Sequence, residues 1–150
     1  MTEGLIQHGT AVAIDGEAVL LRGPSGAGKS DLALRLIDRG ARLVADDQTL
    51  LRRVGDRVIA GAPPPIAGLI EVRGIGIVTV EAIDAVPLFL IADLIPLGKV
   101  ERMPERTFET ILGVSLPLVA VAPFEASAVA KLRLLRHALL AGSPPAIIGL

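Results

Sequence analysis

A chain of 150 residues is long enough for one domain with a proper core, and this one carries a net charge of −1, with 51% hydrophobic and 2% aromatic residues. That balance lacks the basic footprint of a DNA binder and the stacking surfaces of a single-strand binder, so no nucleic acid partner is expected. With no cysteine and two histidines, disulfides and thiolate zinc sites are excluded, and any metal should be held by oxygen, as Mg²⁺ is.

Charges or prolines interrupt each apolar run before it reaches the ~18 residues of a membrane span. The N-terminal stretch with Glu3 does not resemble a secretion signal. The expectation is a cytoplasmic protein without a membrane span. Its apolar content, sustained to Leu150, favours self-association.

In chain order, Thr10 to Ile14 and Glu17 to Leu21 read as two extended segments joined by Asp15-Gly16, a strong hairpin signal. His8 stands at the start of this hairpin, where an imidazole could touch a phosphate or tune a carboxylate. The apolar run Ala18 to Leu21 leads into Gly23-Pro24-Ser25-Gly26-Ala27-Gly28-Lys29-Ser30, which satisfies G-x-x-x-x-G-K-[ST] in full. In such a loop the glycines let backbone N–H groups of Gly23, Ser25, Gly26, Ala27 and Gly28 approach phosphate oxygens. Lys29 reaches the β and γ phosphates, and the Ser30 hydroxyl can sit on Mg²⁺. The pattern predicts a nucleoside triphosphate with Mg²⁺.

Lys29 to Arg39 contains no Pro or Gly and sets Ala33, Leu36 and Ile37 on one face, so it is predicted helical, with Gly40 as its C-terminal stop. Ala41 to Asp47 is then a short strand ending in two carboxylates. A right-handed crossover should return it beside the first strand and bring Asp46 and Asp47 to Ser30. Phosphoryl transfer to a hydroxyl needs one carboxylate to accept the proton and another near Mg²⁺.

Val54 to Val58 reads as a second hairpin turn, and Gly61 to Pro65 as a rigid extended connector. If Gly68 to Ile77 starts extended, Leu69, Glu71 and Arg73 share a face. Glu71 could then join the Mg²⁺ shell and Arg73 could neutralise phosphate. Phe89 to Leu94 reads as a central strand, Lys99 to Arg106 as a charged loop, and Ile111 to Val121 as strand broken by Gly113 and Pro117. Ser127 to Ala141 reads as a second helix capped by Ser127, with His137 on its polar side. The hairpin before the phosphate loop predicts an α/β fold on a mixed β-sheet.

The phosphate loop, Leu43-Val44-Ala45-Asp46-Asp47 and Ile70-Glu71-Val72-Arg73-Gly74-Ile75-Gly76-Ile77, in this order, resemble the HPr kinase/phosphorylase family. His8-Gly9-Thr10 and Gly61-Ala62-Pro63-Pro64 extend the likeness, which covers residues 6 to about 80. The resemblance implies a P-loop kinase core like that of phosphoenolpyruvate carboxykinases. It implies a serine kinase that uses ATP to phosphorylate the phosphocarrier HPr, with reversal by phosphorolysis in many members, and a homo-oligomer, hexameric in the family. By the same resemblance Ser30 and Glu71 hold Mg²⁺, Asp46 exchanges the serine proton with Asp47 and His8 beside it, and Arg73 belongs to the signature.

The family's amino-terminal domain has no counterpart here, so residues 1–150 read as a single catalytic domain. Ala122 to Ala126 stands where longer members carry a basic loop. Two other readings of the residues stay open: a small-molecule P-loop kinase, whose lid could only be Lys99 to Arg106, and a regulatory module that senses ATP without transferring phosphate. A GTPase is not expected, because the chain has no asparagine for a guanine-reading motif.

Overall fold

The computed structural model describes residues 4–149; Glu3 and Leu150, used above, lie outside them. Strand β1 (Gly4–His8) is followed by the expected hairpin of β2 (Thr10–Ile14) and β3 (Glu17–Arg22). Its turn residues Asp15 and Gly16 have φ of 49° and 85°, the left-handed pair that a two-residue turn between twisted strands requires. Along the hairpin, Val12, Ile14, Val19 and Leu21 join one core, and Ala11, Ala13, Ala18 and Leu20 join another. Period-two alternation on strands covered on both faces produces these two cores. Each fully buried Leu, Ile or Val contributes about 1.5–3 kcal/mol.

The first core is closed by helices α1 (Lys29–Asp38) and α2 (Ala128–Leu140), through Leu32, Ala33, Leu36, Ala128 and Leu132. Helix α1 ends at Arg39 and Gly40, where Gly40 has φ 100° and its N–H donates to the Ile37 carbonyl, as expected of a glycine stop. The second core takes residues from β4 (Arg42–Ala45), β5 (Gln48–Val54), β6 (Arg57–Gly61) and the β10 (Thr107–Ile111) and β11 (Val114–Val121) hairpin. The longest strand, β9 (Val86–Leu94), joins the two parts of the sheet. Its first residues pair antiparallel with β6, and its later ones pair parallel with β3 and β11. The result is a mixed sheet of nine strands among the described residues, running β1-β5-β6-β9-β3-β2-β4 with β11 and β10 beyond β9.

Several expectations are corrected here. Strand β4 does not lie beside β3. It pairs antiparallel with β2, which occupies the place next to β3, so β4 runs parallel to β3 one strand away. Gly68 to Ile77 does start extended, at β7 (Leu69–Val72), but then turns back into β8 (Gly76–Thr79) and forms most of a separate hairpin. Arg73 therefore sits in its turn, and the face it was expected to share stops at Glu71. Gly74, with φ 87°, permits that turn.

The prolines of the connector start a turn of 3₁₀ helix at Pro64–Ile66 instead of holding it extended. A proline there gives up no hydrogen bond, because N–H groups of a first turn have no internal partner. Gly113 is a hairpin turn between β10 and β11 rather than a break. Pro117 is tolerated within β11 because pairing with β9 begins only at Leu118. Ser127 does occupy the N-cap of α2 but makes no side-chain cap bond. His137 is half-buried, its Nε2 2.8 Å from the Ser143 carbonyl, where it helps terminate the helix.

One ion cluster went unread in the sequence. Arg22, the last residue of β3, donates to both oxygens of Asp93 on β9 (2.8 and 3.1 Å) and both of Glu109 on β10 (2.6 and 2.8 Å). The paired carboxylates, Glu109 foremost, push the Arg22 guanidinium still further from losing its proton. The hydrogen bonds from Arg22 hold the Glu109 carboxyl below its ordinary value of 4.5. A carboxyl whose folded value is depressed stabilises the fold fully above its unfolded value and loses that contribution as pH falls through the folded one. Thermal stability of the wild type should therefore fall from about pH 4.5 downward, and Glu109→Gln should show a shallower loss over the same range. Equal slopes for the two proteins would mean that the cluster contributes nothing to folding.

Candidate functional site

Four structural pieces converge where β3 and β4 end. The glycine-rich segment 23–28 leaves β3 and enters α1. Gly23 is needed for close packing, since a Cβ there would lie 2.8 Å from that of Ala27. Gly26 (φ 84°) and Gly28 (φ 103°) are needed for left-handed backbone, and open space surrounds the position of a Cβ on Gly26. Ser25 and Gly26 are exposed at the crest. Gly28 is the N-cap of α1, and no side chain caps the first turn. Its N–H groups and the helix dipole are thus left for an anion. Lys29 is buried, with Nζ 2.6 Å from the Gly23 carbonyl and 3.0 Å from that of Pro24, so its ammonium lies folded within the loop.

The second piece is Asp46, just past β4 and 8% exposed. Its Oδ1 accepts from Ser30 Oγ at 2.8 Å and from Thr10 Oγ1 at 3.0 Å, and its Oδ2 accepts from the Glu71 backbone N–H at 3.0 Å. The expected meeting of Asp46 with Ser30 is present despite the different strand order. Thr10, fully buried, also accepts from the Asp47 N–H at 3.0 Å. In the sequence, Thr10 stood out as the first residue of a strand and as part of His8-Gly9-Thr10, with no role for its hydroxyl. A hydroxyl among the apolar residues of β2 was the signal available.

Asp47 turns the other way. Its side chain is 63% exposed, and its Oδ1 lies 3.0 Å from His8 Nε2. His8 reaches it because β2 is antiparallel to its neighbours, so the start of β2 meets the ends of β3 and β4. Asp47 has φ 67°, and Gln48 N–H donates across it to the Asp46 carbonyl at 2.7 Å, closing a three-residue turn. Such backbone in a non-glycine residue costs of order 1–3 kcal/mol and gathers at functional sites.

The β7–β8 hairpin supplies the third expected contributor. Residue 71 adjoins the cluster through its N–H, while the Glu71 side chain is exposed. Arg73 is exposed in the hairpin turn, outside this cluster of hydrogen bonds. Among the described residues no three His, Cys, Asp or Glu side chains form a metal-holding group. Ser30 and Asp46 nevertheless suit Mg²⁺, which prefers one or two protein oxygens together with water and phosphate.

Comparison with known proteins gives one family. The family model described as HPr Serine kinase C-terminal domain matches residues 1–132. The HPr kinase/phosphorylase of Chlorobium phaeobacteroides is 39% identical over 130 residues, covering 78% of this chain and 40% of that protein. That of an Exiguobacterium species is 53% identical over 74 residues, covering 49% of this chain and 24% of that protein. The matched part thus spans between a quarter and two-fifths of the length of these relatives. The solved Hpr(Ser) kinase/phosphatase from Coxiella burnetii superposes with a TM-score of 0.78 at 28% identity, covering 89% of each chain. The chain belongs to the HPr serine kinase C-terminal domain family, and its mixed, curled α/β sheet is close to that structure.

Because Thr10 Oγ1 serves Asp46 and Asp47 at once, Thr10→Val should leave the part-buried Asp47 N–H without its partner and remove one of the bonds to buried Asp46, destabilising the fold by about 1–3 kcal/mol in denaturant unfolding. Thr10→Ser keeps the hydroxyl and should lose clearly less. If both variants are equally destabilised, the methyl group and not the hydrogen bonds accounts for the residue.

Proposed function

We propose that this chain is an ATP- and Mg²⁺-dependent kinase that phosphorylates a serine of an HPr-like phosphocarrier protein. Membership of the family supports the reaction class. The observation that carries the mechanism is Asp46 bonded to Ser30 at the mouth of an uncapped glycine-rich loop, with Asp47 beside it facing solvent. In this reading the 23–30 backbone and Lys29 hold the triphosphate. Lys29 would release its two carbonyl partners to reach the phosphates, and Mg²⁺ would supply charge neutralisation between Ser30, Asp46 and the phosphate oxygens. Glu71, displayed on the hairpin next to Asp46, is available to the same ion.

Of the two aspartates, Asp47 fits the proton acceptor better than Asp46. Both oxygens of Asp46 already accept hydrogen bonds from inside the protein. Asp47 is reachable by an incoming hydroxyl and is oriented by His8. A serine Oγ would give its proton to Asp47 Oδ as its bond to the γ-phosphorus forms and the bond to the β-bridging oxygen breaks. Phosphorolysis would instead use inorganic phosphate as the acceptor: its oxygen bonds to the phosphoserine phosphorus as the serine Oγ–P bond breaks, giving pyrophosphate, while Asp47 returns the proton to the serine oxygen. Arg73, outside the cluster, is assigned to neutralising phosphate or contacting the protein substrate from the hairpin turn. A cytoplasmic homo-oligomer fits this role, and no helix among the described residues is long and apolar enough to cross a membrane.

The test is transfer of labelled γ-phosphate from ATP to HPr-type proteins with Mg²⁺ present. Formation of phosphoserine is expected. ATP binding without transfer to any such protein would instead favour a nucleotide-sensing module, and transfer to a metabolite would favour a small-molecule kinase.

Asp47→Asn should lower turnover by on the order of 10²–10⁴-fold with nucleotide affinity kept. Asp46→Asn should weaken Mg²⁺-dependent nucleotide binding by about tenfold or more. If Asp46→Asn abolishes turnover with binding intact while Asp47→Asn remains active, the two roles are reversed.

A further inference from the structure

The chain has three aromatic side chains, all phenylalanine. Phe89 is buried in the first core, but Phe124 is 69% exposed beside the glycine-rich loop. A Cβ on Gly28 would lie 2.8 Å from Phe124 Cζ and 3.2 Å from its Cε1. The ring therefore meets the loop edge-on and leaves most of its surface in solvent. Gly28 is bare for two reasons, its left-handed φ and this close approach. Pro123 is buried, and its carbonyl accepts from the Arg35 guanidinium, which also pairs with Asp31 at 2.9 Å. The segment carrying Phe124 is thus tied to α1 rather than projecting freely.

Topology says what such a ring faces. Strands β3, β9 and β11 are parallel neighbours, and their carboxyl ends share one edge of the sheet. Asp46 lies on the β2–β4 side of the glycine-rich loop, and Phe124, leaving β11, lies on the β9–β11 side. A triphosphate whose γ end pointed to Asp46 would extend its nucleoside toward the β9–β11 side, where Phe124 lies. Ligands of open α/β sheets lie along this edge. Between Phe124, Glu125 and Val129 on one wall and Asp31, Arg35 and Asp38 on the other runs a groove of about 430 Å³, within the range of small-molecule sites.

We propose that Phe124 is the platform on which the base of the bound nucleoside triphosphate stacks, with the groove along α1 receiving the nucleoside. This inference rests on the nucleotide reading above and adds the base subsite to it. An exposed aromatic face is suited to this, since every base presents a π-face.

Phe124→Ala should weaken ATP binding by on the order of tenfold, leave inorganic tripolyphosphate binding unchanged, and be rescued by Phe124→Trp. The chain has no tryptophan, so Phe124→Trp also introduces a lone fluorophore, expected to be quenched by ATP and not by tripolyphosphate. Equal losses for both ligands would mean that the ring merely shapes the loop. Unchanged ATP affinity with impaired transfer to the phosphocarrier would make it a protein-docking residue. Either result overturns the proposal, as does a wild type that binds tripolyphosphate as tightly as ATP, and in that last case the kinase reading stands. Tight ATP binding lost in Phe124→Ala, with no phosphoryl transfer by the wild type, would instead sink the kinase reading and keep the base platform.

Discussion

The carboxylate of Asp46 is the joint on which the site depends. It is buried, and an unpaired charge there would be costly, yet it accepts three hydrogen bonds from three different elements: Thr10 from β2, Ser30 from α1 and the Glu71 N–H from β7. Each donor is thereby fixed relative to the other two. The glycine-rich loop, the β2–β3 hairpin that starts at Thr10 and the β7–β8 hairpin are registered through one side chain. A shift of any of them would leave buried polar groups unsatisfied, which costs more than an exposed hydrogen bond is worth.

That convergence requires an antiparallel strand between β3 and β4. In a doubly wound sheet the strand beside β3 would be parallel and would bring its carboxyl end to this edge. Here β2 brings its amino end, so Thr10 and His8 arrive where Asp46 and Asp47 emerge. The same insertion moves β4 one strand further from the loop. The contact survives because Asp46 lies beyond the end of the strand, in the tight turn closed by Gln48, from which its side chain reaches back to Ser30.

The legible parts of the chain were those dictated by local chemistry. Asp15-Gly16 demanded a two-residue turn, the glycine-rich loop demanded a strand before and a helix after, and Gly40 demanded a stop. What escaped was set by partners distant in sequence. Pairing of β4 with β2 rather than β3 is a long-range choice that no local pattern encodes. The Arg22 cluster joins residues more than seventy positions apart, each an ordinary charged residue in its own stretch. Gly74 was visible, but reading Glu71 and Arg73 as one extended face ignored that a left-handed glycine folds the segment back. Thr10 was passed over because a threonine that starts a strand looks the same whether or not its hydroxyl meets a carboxylate.

The two aspartates follow opposite physical demands. Asp46 points inward and is satisfied by the protein, so it holds three elements together. Asp47 sits on left-handed backbone that glycine would adopt more easily, held by the Gln48 N–H across it, the Gly9 N–H on its carbonyl and Thr10 on its own N–H. A residue kept in that conformation against local preference, by three hydrogen bonds, is positioned for its side chain rather than for the turn. The strain turns the second carboxylate out to solvent and His8 while the first stays buried. Adjacency in sequence thereby yields one carboxylate bound within the protein and one presented to solvent.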